Sequence, residues 1–257
     1  MTDLALDVGS HPMRLVPLDA VHNFRDLGGY PTADGRSTRW RVLFRADGLY
    51  RLKGDDLEAV RELGLRTVID LRTERELEER GRFPHEDHPV DFHHLSVIDA
   101  TWQEMDRPEF ADDADFLHWA YHHMLQVGAS RFAQAITWLA QPEALPAVFH
   151  CAAGKDRTGI LAALLLGALG VPHEYIVADY ALTAGGMDRM RAWAEREFPE
   201  MSDRMTDTPS AFLAALPQAM AELLADLIVE FGSIREYVLR IGVAEADLDA
   251  LAASFLH

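Results

Sequence analysis

Ten consecutive residues, His150-Cys151-Ala152-Ala153-Gly154-Lys155-Asp156-Arg157-Thr158-Gly159, place the chain's only cysteine six residues before an arginine. A nucleophile and an anion clamp thus share one short loop. Ala147-Val148-Phe149 ahead of it has the apolar run of a buried strand, and Ile160 to Leu169 behind it is apolar enough for a core helix. A loop between a strand and a helix N-terminus turns successive N–H groups inward as a nest, and the unpaired amides of the first helical turn add positive potential there. A phosphate-sized dianion fits such a cradle, and the same field favours the thiolate of Cys151. The planar fork of Arg157 matches two phosphoryl oxygens, a geometry that lysine does not reproduce. The phosphate-binding set is then Ala152, Ala153, Gly154, Lys155, Asp156 and Arg157. The expected chemistry is attack of Cys151 on phosphorus to form a phosphocysteine. Thr158, beside Arg157, is placed to bond the sulfur when it leaves, and His150 is expected to orient the loop rather than act as a base.

A cysteine six residues before an arginine is common by chance, and a lone cysteine is more often a small buried hydrophobe than a nucleophile. The preceding histidine, the loop glycine, the Thr-Gly opening a helix and the strand in front supply the context that turns the pair into a motif.

Several elements must position that loop. Tyr30 to Gly35 reads as a turn and Arg39 to Arg45 as a strand, together a hairpin. Leu57 to Leu63 reads as a short helix, Thr67 to Leu71 as an apolar strand with Asp70 near its end, and Phe92 to Ile98 as another strand. Thr73-Glu74-Arg75-Glu76 has the spacing of a capping box opening a charged helix that stops near Gly81. Ser130 to Ala140 reads as the helix leading back to the catalytic strand. The rest is helical: Val171 through Ala181, Met187 to Phe198, Leu213 to Phe231 interrupted by Pro217, Ile234 to Ile241, and Ala246 to Leu256. Strands alternating with helices, then helices alone, predict an α/β sheet with helices on both faces and a helical C-terminal half. Ligands of such sheets sit at the carboxyl ends of the strands, which puts the Cys151 loop and Asp70 at one edge.

At 257 residues, without a linker-like segment or repeat, the chain is expected to form one domain, with residues 1–20 as an irregular lead-in. One cysteine excludes an internal disulfide, and a thiolate nucleophile suits a reducing compartment. Met1 to Asp7 lacks the basic and apolar regions of a leader, and the longest apolar run, Ile160 to Val171, is too short to span a bilayer, so a cytoplasmic location is expected. A formal charge of −18 argues against nucleic acid as a partner. It also repels phosphorylated substrates, so local cations, Arg157, Lys155 and the loop amides, must overcome the global field.

The loop, together with Asn23-Phe24-Arg25-Asp26-Leu27-Gly28-Gly29-Tyr30, Leu43-Phe44-Arg45-Ala46 and Val68-Ile69-Asp70-Leu71-Arg72, resembles the bacterial PtpB-like tyrosine phosphatases, an atypical branch of the cysteine-dependent phosphatases. The resemblance runs from about residue 15 to the end. It implies a cysteine-phosphatase-type fold and dephosphorylation of phosphotyrosine, often with phosphoserine, phosphothreonine or phosphoinositides as further substrates, without cofactor.

A leaving alkoxide or phenoxide needs a proton, and a carboxyl group is the usual source. The Trp-Pro-Asp triplet that supplies it in the standard tyrosine phosphatases is missing. The resemblance implies that the loop aspartate, Asp156, is the acid; the alternative is an anchor that accepts loop hydrogen bonds. Asp70 is the second candidate acid, or a support that holds an arginine. Lys155 is expected to point across the pocket mouth to a second phosphate, as an inositol phosphate would require, rather than remain a solvated loop cation. Arg25, Asp26 and Arg45 are expected to brace the site. His118 and His122 share a helical face, but no glutamate follows the first histidine as in zinc proteases, so with His123 they read as surface histidines and no metal is expected. The acidic, aromatic-rich segment 99–128 reads either as a helical lid or as a fixed, packed insert. Two other classes remain beside the phosphatase: arsenate reduction or sulfur transfer on a similar loop, and a catalytically weak module that binds phosphoproteins or inositides.

Overall fold

The computed structural model describes residues 8–101, 108–197 and 214–257. Met1 to Asp7, Trp102, Phe198 and Leu213, used in the readings above, lie outside the described residues. Five strands, β1 (Arg25–Asp26), β2 (Leu43–Ala46), β3 (Thr67–Asp70), β4 (Asp91–His94) and β5 (Ala147–His150), form one sheet in the order β1-β2-β5-β3-β4. Only the β1–β2 pair is antiparallel. The expected hairpin therefore forms, but its second strand starts at Leu43 rather than Arg39. Arg41 takes a φ of +62°, in the left-handed region, and its N–H is held by the Asp26 carboxylate at 2.7 Å, so the ladder cannot begin earlier.

Side chains alternate across the pleat and divide the core in two. Leu43, Ile69, Ala147 and Phe149 face one apolar cluster; Phe44, Ala46, Val68 and Val148 face the other. The second cluster is closed by Leu57 and Val60 of α1 (Gly54–Arg61) and by Phe83, which follows α2 (Glu74–Arg80). The first is closed by the helical half: α3 (Asp113–Leu139), α4 (Asp156–Ala168), α5 (His173–Ala181), which packs on α6 (Thr183–Glu197), α7 (Pro217–Phe231), α8 (Ile234–Arg240) and α9 (Glu245–Phe255). Helices thus lie on both faces of the sheet. Helix α4 is buried along nearly its whole length, as expected of a helix apolar all round, and packs against α3, α5 and α8.

Two helix starts differ from the sequence reading for local physical reasons. The helix expected at Ser130 begins at Asp113, capped by the Asp112 carboxylate on the amides of Ala114 and Asp115. Phe116, Leu117, Ala120, Tyr121, Met124 and Leu125 recur at helical spacing and are buried, so residues 113–128 form the first half of a continuous, packed helix. Pro217 occupies the first turn of α7, where its missing N–H costs nothing, and so opens that helix instead of interrupting it. Part of the lead-in is also tied down: the Asp56 carboxylate accepts from the amides of Asp19 and Ala20, and buried Arg14 bonds the carbonyls of Val8 and Asp26. Among the described residues no helix is long and apolar enough to cross a membrane.

Candidate active site

The register aligns Ala46, His150 and Asp70 across β2, β5 and β3, so the segments that follow these strands meet at one carboxyl edge. Cys151 is the first residue beyond β5 and is 2% exposed. The chain then loops through Lys155 and enters α4 at Asp156. Gly154 makes the turn possible: its φ is +66°, and a Cβ there would lie 2.6 Å from the Ala46 carbonyl oxygen, a backbone atom that cannot step aside.

The loop carbonyls are pulled outward and held. Gly48 N–H donates to Ala152 O at 3.1 Å, Asn23 Nδ2 donates to Ala153 O and Gly154 O at 3.0 Å each, and Arg45 Nη2 donates to Gly154 O at 2.8 Å. The amides of Ala152, Ala153 and Gly154 have no acceptor among the described residues. Carbonyls tethered on the outside leave N–H groups for the inside, which is the nest that an anion needs.

Behind the tethers stands a buried charge cluster. Asp179 of α5 accepts from Arg25 Nε at 2.9 Å, Arg45 Nη1 at 2.7 Å and Tyr30 OH at 2.9 Å. Burial opposes its charge, but the two guanidinium groups hold its carboxyl well below the usual range. Arg25 also bonds the side chain of Asn23, which carries the loop. Arg25 and Arg45 thus brace the loop as expected. Asp26 does not: its carboxylate accepts from Gly28 N and Arg41 N and ties its own hairpin instead.

Arg157, on the first turn of α4, is gripped by Glu76 of α2: Nη1 lies 2.5 Å from Oε2 and Nη2 lies 3.0 Å from Oε1. Glu76 also closes the expected capping box with Thr73. Burial would raise the Glu76 carboxyl, but the Arg157 hydrogen bonds and charge bring it down to about 2. Asp70, fully buried, is forked by Arg72 at 2.9 and 2.6 Å; despite burial, the charges of His150 and Arg72 keep its carboxyl below the ordinary value. His150 is buried with Nε2 3.5 Å from Asp70 Oδ2 but not hydrogen-bonded to it; burial lowers its pKa, against the opposing pull of the Asp70 charge.

Asp156 accepts from Tyr121 OH of α3 at 2.8 Å through Oδ1, and Tyr121 OH in turn meets Tyr180 OH. Burial first, then the Asp156 charge, pushes both phenols well above their normal range, so they stay protonated. The other oxygen of Asp156, Oδ2, takes no hydrogen bond among the described residues.

Two expected contacts are absent. Lys155 is buried, with Nζ donating to Ala214 O at 2.8 Å and lying 3.4 Å from Asp156 Oδ1. Its amine is therefore engaged within the protein rather than held out across the pocket mouth. The Thr158 hydroxyl does not bond the sulfur: it is buried with no partner among the described residues.

The sequence profile of the tyrosine phosphatase family matches residues 16–257. The chain belongs to the tyrosine phosphatase family. A tyrosine-protein phosphatase of Nostoc commune is 31% identical over 213 residues, covering 80% of this chain and 71% of that protein. The triple specificity protein phosphatase PtpB of Mycobacterium tuberculosis is 28% identical over 291 residues, covering 95% of this chain and 100% of its own. The Siw14 catalytic core, 13% identical, aligns over 77% of this chain and 95% of that one with a TM-score of 0.38.

In this PtpB-like phosphatase the structure puts Cys151, Asp156 and Arg157 on one loop and helix start, with Asp70 on the adjacent strand β3 in register with His150. Glu76, Asp179, Tyr121 and Asn23 carry no site role in the sequence reading, although Asn23 opens the block on which the family resemblance rests. Glu76 carries a local signal as the last residue of the capping box, but that signal speaks of a helix start and not of its arginine partner 81 positions away.

The Glu76–Arg157 pair makes a pH prediction. The folded carboxyl, near 2, lies below the ordinary 4.5, so the pair's contribution is fully present above pH 4.5 and is lost as pH falls toward 2. A shift of that size corresponds to about 3 kcal/mol. Urea unfolding of wild type and Glu76→Gln should show a gap of that order at pH 6 that narrows steadily below pH 4.5. A gap of constant size would contradict the pairing.

Proposed function

We propose that this phosphatase hydrolyses phosphomonoesters through a phosphocysteine at Cys151, with phosphotyrosine as the primary substrate and phosphoserine, phosphothreonine and phosphoinositides as further ones. The observation that carries the reading is the loop with its carbonyls tethered by Asn23, Arg45 and Gly48 and its amides unclaimed around the cysteine. Arg157 reinforces it. Glu76 occupies one edge of the guanidinium, which leaves Nε–H and a remaining Nη2–H for the phosphoryl oxygens and holds the charge in place before substrate arrives.

The step runs as an in-line displacement. The Cys151 thiolate attacks phosphorus, the P–O bond to the leaving group breaks, and Asp156 delivers its proton to that oxygen. Tyr121 fixes Oδ1, so Oδ2 is the oxygen that carries the proton. Water then attacks the phosphocysteine, the carboxylate of Asp156 takes its proton, and the thiolate leaves toward the unpaired Thr158 hydroxyl. Asp70, ionised and forked by Arg72, serves as support. The relative named for triple specificity favours the broad substrate range, but Lys155 lends the inositide branch no support, since its amine is engaged by the Ala214 carbonyl. Arsenate reduction would need a resolving thiol that this single-cysteine chain lacks.

Hydrolysis of a chromogenic aryl phosphate in chelator tests the reading: turnover is expected, and none would leave a binding module. Side-by-side kcat/KM values for phosphotyrosine peptide, phosphoserine peptide and phosphoinositide then order the substrates. The acid has its own test. Asp156→Asn should slow esters with poor leaving groups by about 10²–10⁴-fold and those with good leaving groups far less. A uniform loss would make Asp156 a structural anchor.

A further inference from the structure

His118 and His122 lie on α3, four residues apart, and the structure brings a third group to them that their own helix does not supply. Asp226, on α7, points its Oδ2 between the two imidazoles, 2.9 Å from each Nε2. The ligand atoms of all three residues lie within 4.8 Å of one another, and all three side chains are accessible from solvent. His123, by contrast, is turned aside and stacks on Trp119.

We propose that His118, His122 and Asp226 form a binding site for a divalent transition-metal ion of the zinc type, separate from the phosphatase site. Two imidazole nitrogens and one carboxylate oxygen are the donor set that such ions take in preference to magnesium or calcium, which favour all-oxygen shells. Ligands about 2.0–2.1 Å from a tetrahedral zinc stand roughly 3.3 Å apart, so small rotations of these partly exposed side chains open the cluster to the ion. Each imidazole then carries its proton on Nδ1 and offers the Nε2 lone pair, and water completes the fourth position. The net charge of −18 raises the local concentration of cations at such a surface. A bound ion would staple α3 to α7. It would thereby join the helix that carries Tyr121, the partner of Asp156, to the helix that follows Ala214, the partner of Lys155.

The test is titration of the chelator-stripped full chain with zinc by calorimetry, and with cobalt(II) by visible absorption. One equivalent of zinc is expected in wild type. His122→Gln and Asp226→Asn, both partly exposed and outside the phosphatase site, should weaken it by at least about 100-fold and about 10-fold respectively, with aryl phosphate hydrolysis and thermal unfolding in chelator unchanged. The cobalt complex should show ligand-field bands without a thiolate charge-transfer band. Equal binding by wild type and both variants would overturn the proposal, as would a thiolate band that disappears in Cys151→Ser, which would make the cysteine the ligand. Absence of stoichiometric binding in wild type would reduce the trio to a hydrogen-bonded cluster and overturn it as well.

Discussion

Replacing Cys151 with serine is expected to abolish phosphomonoester turnover while leaving phosphate binding within a few-fold of wild type. A hydroxyl in the same position is a far weaker nucleophile, and no second cysteine exists to take over. The binding elements are untouched, because the loop is held from outside by Asn23, Arg45 and Gly48 and Arg157 by Glu76. Steady-state assays give the first quantity, and calorimetry with inorganic phosphate the second. Wild-type-like turnover in a clean preparation of Cys151→Ser would remove the mechanism.

Asp179→Ala is expected to cost the most stability of any single change near the site. It leaves Arg25 and Arg45, 0% and 1% exposed, facing each other without a counter-ion. Breaking a buried pair from one side costs about 3–5 kcal/mol, a large share of the ~5–15 kcal/mol that holds a typical domain. Activity should fall with it, since Arg45 would no longer be held against the Gly154 carbonyl. Asp179→Asn keeps an acceptor oxygen and should lie between the two. Urea unfolding at neutral pH measures both; a loss below about 1 kcal/mol for the alanine variant would mean that the two arginines find other partners.

What could be read before the fold was known, and what could not, divides by distance along the chain. The catalytic loop is contiguous, so its strand, turn and helix start were all legible, down to the glycine that the Ala46 carbonyl requires. The capping box of α2 was legible for the same reason. Side-chain direction was not. Lys155 sits where expected, yet its amine is buried and bonds the carbonyl of Ala214, a partner 59 positions away that local sequence does not encode. Asp179 reads as an ordinary helix residue until α5 docks beside β1 and β2, when two arginines from separate strands converge on it. The i, i+4 histidines of α3 were visible; their aspartate, 104 to 108 positions later, was not. The first half of helix α3 falls in the segment whose acidic, aromatic composition fits either a lid or a packed insert, and only the fold shows that its buried residues recur at helical spacing and enter the core.

The central claim is that the phosphoryl group resides on Cys151 during turnover. Rapid quenching of the enzyme with an aryl phosphate, followed by digestion and peptide mass measurement, tests it directly. The account predicts phosphorylation of the peptide containing Cys151, appearing and decaying at rates compatible with turnover, and absent in Cys151→Ser. Sustained turnover with no phosphorylation of that peptide at any time, or with the phosphoryl group on another residue, would contradict it.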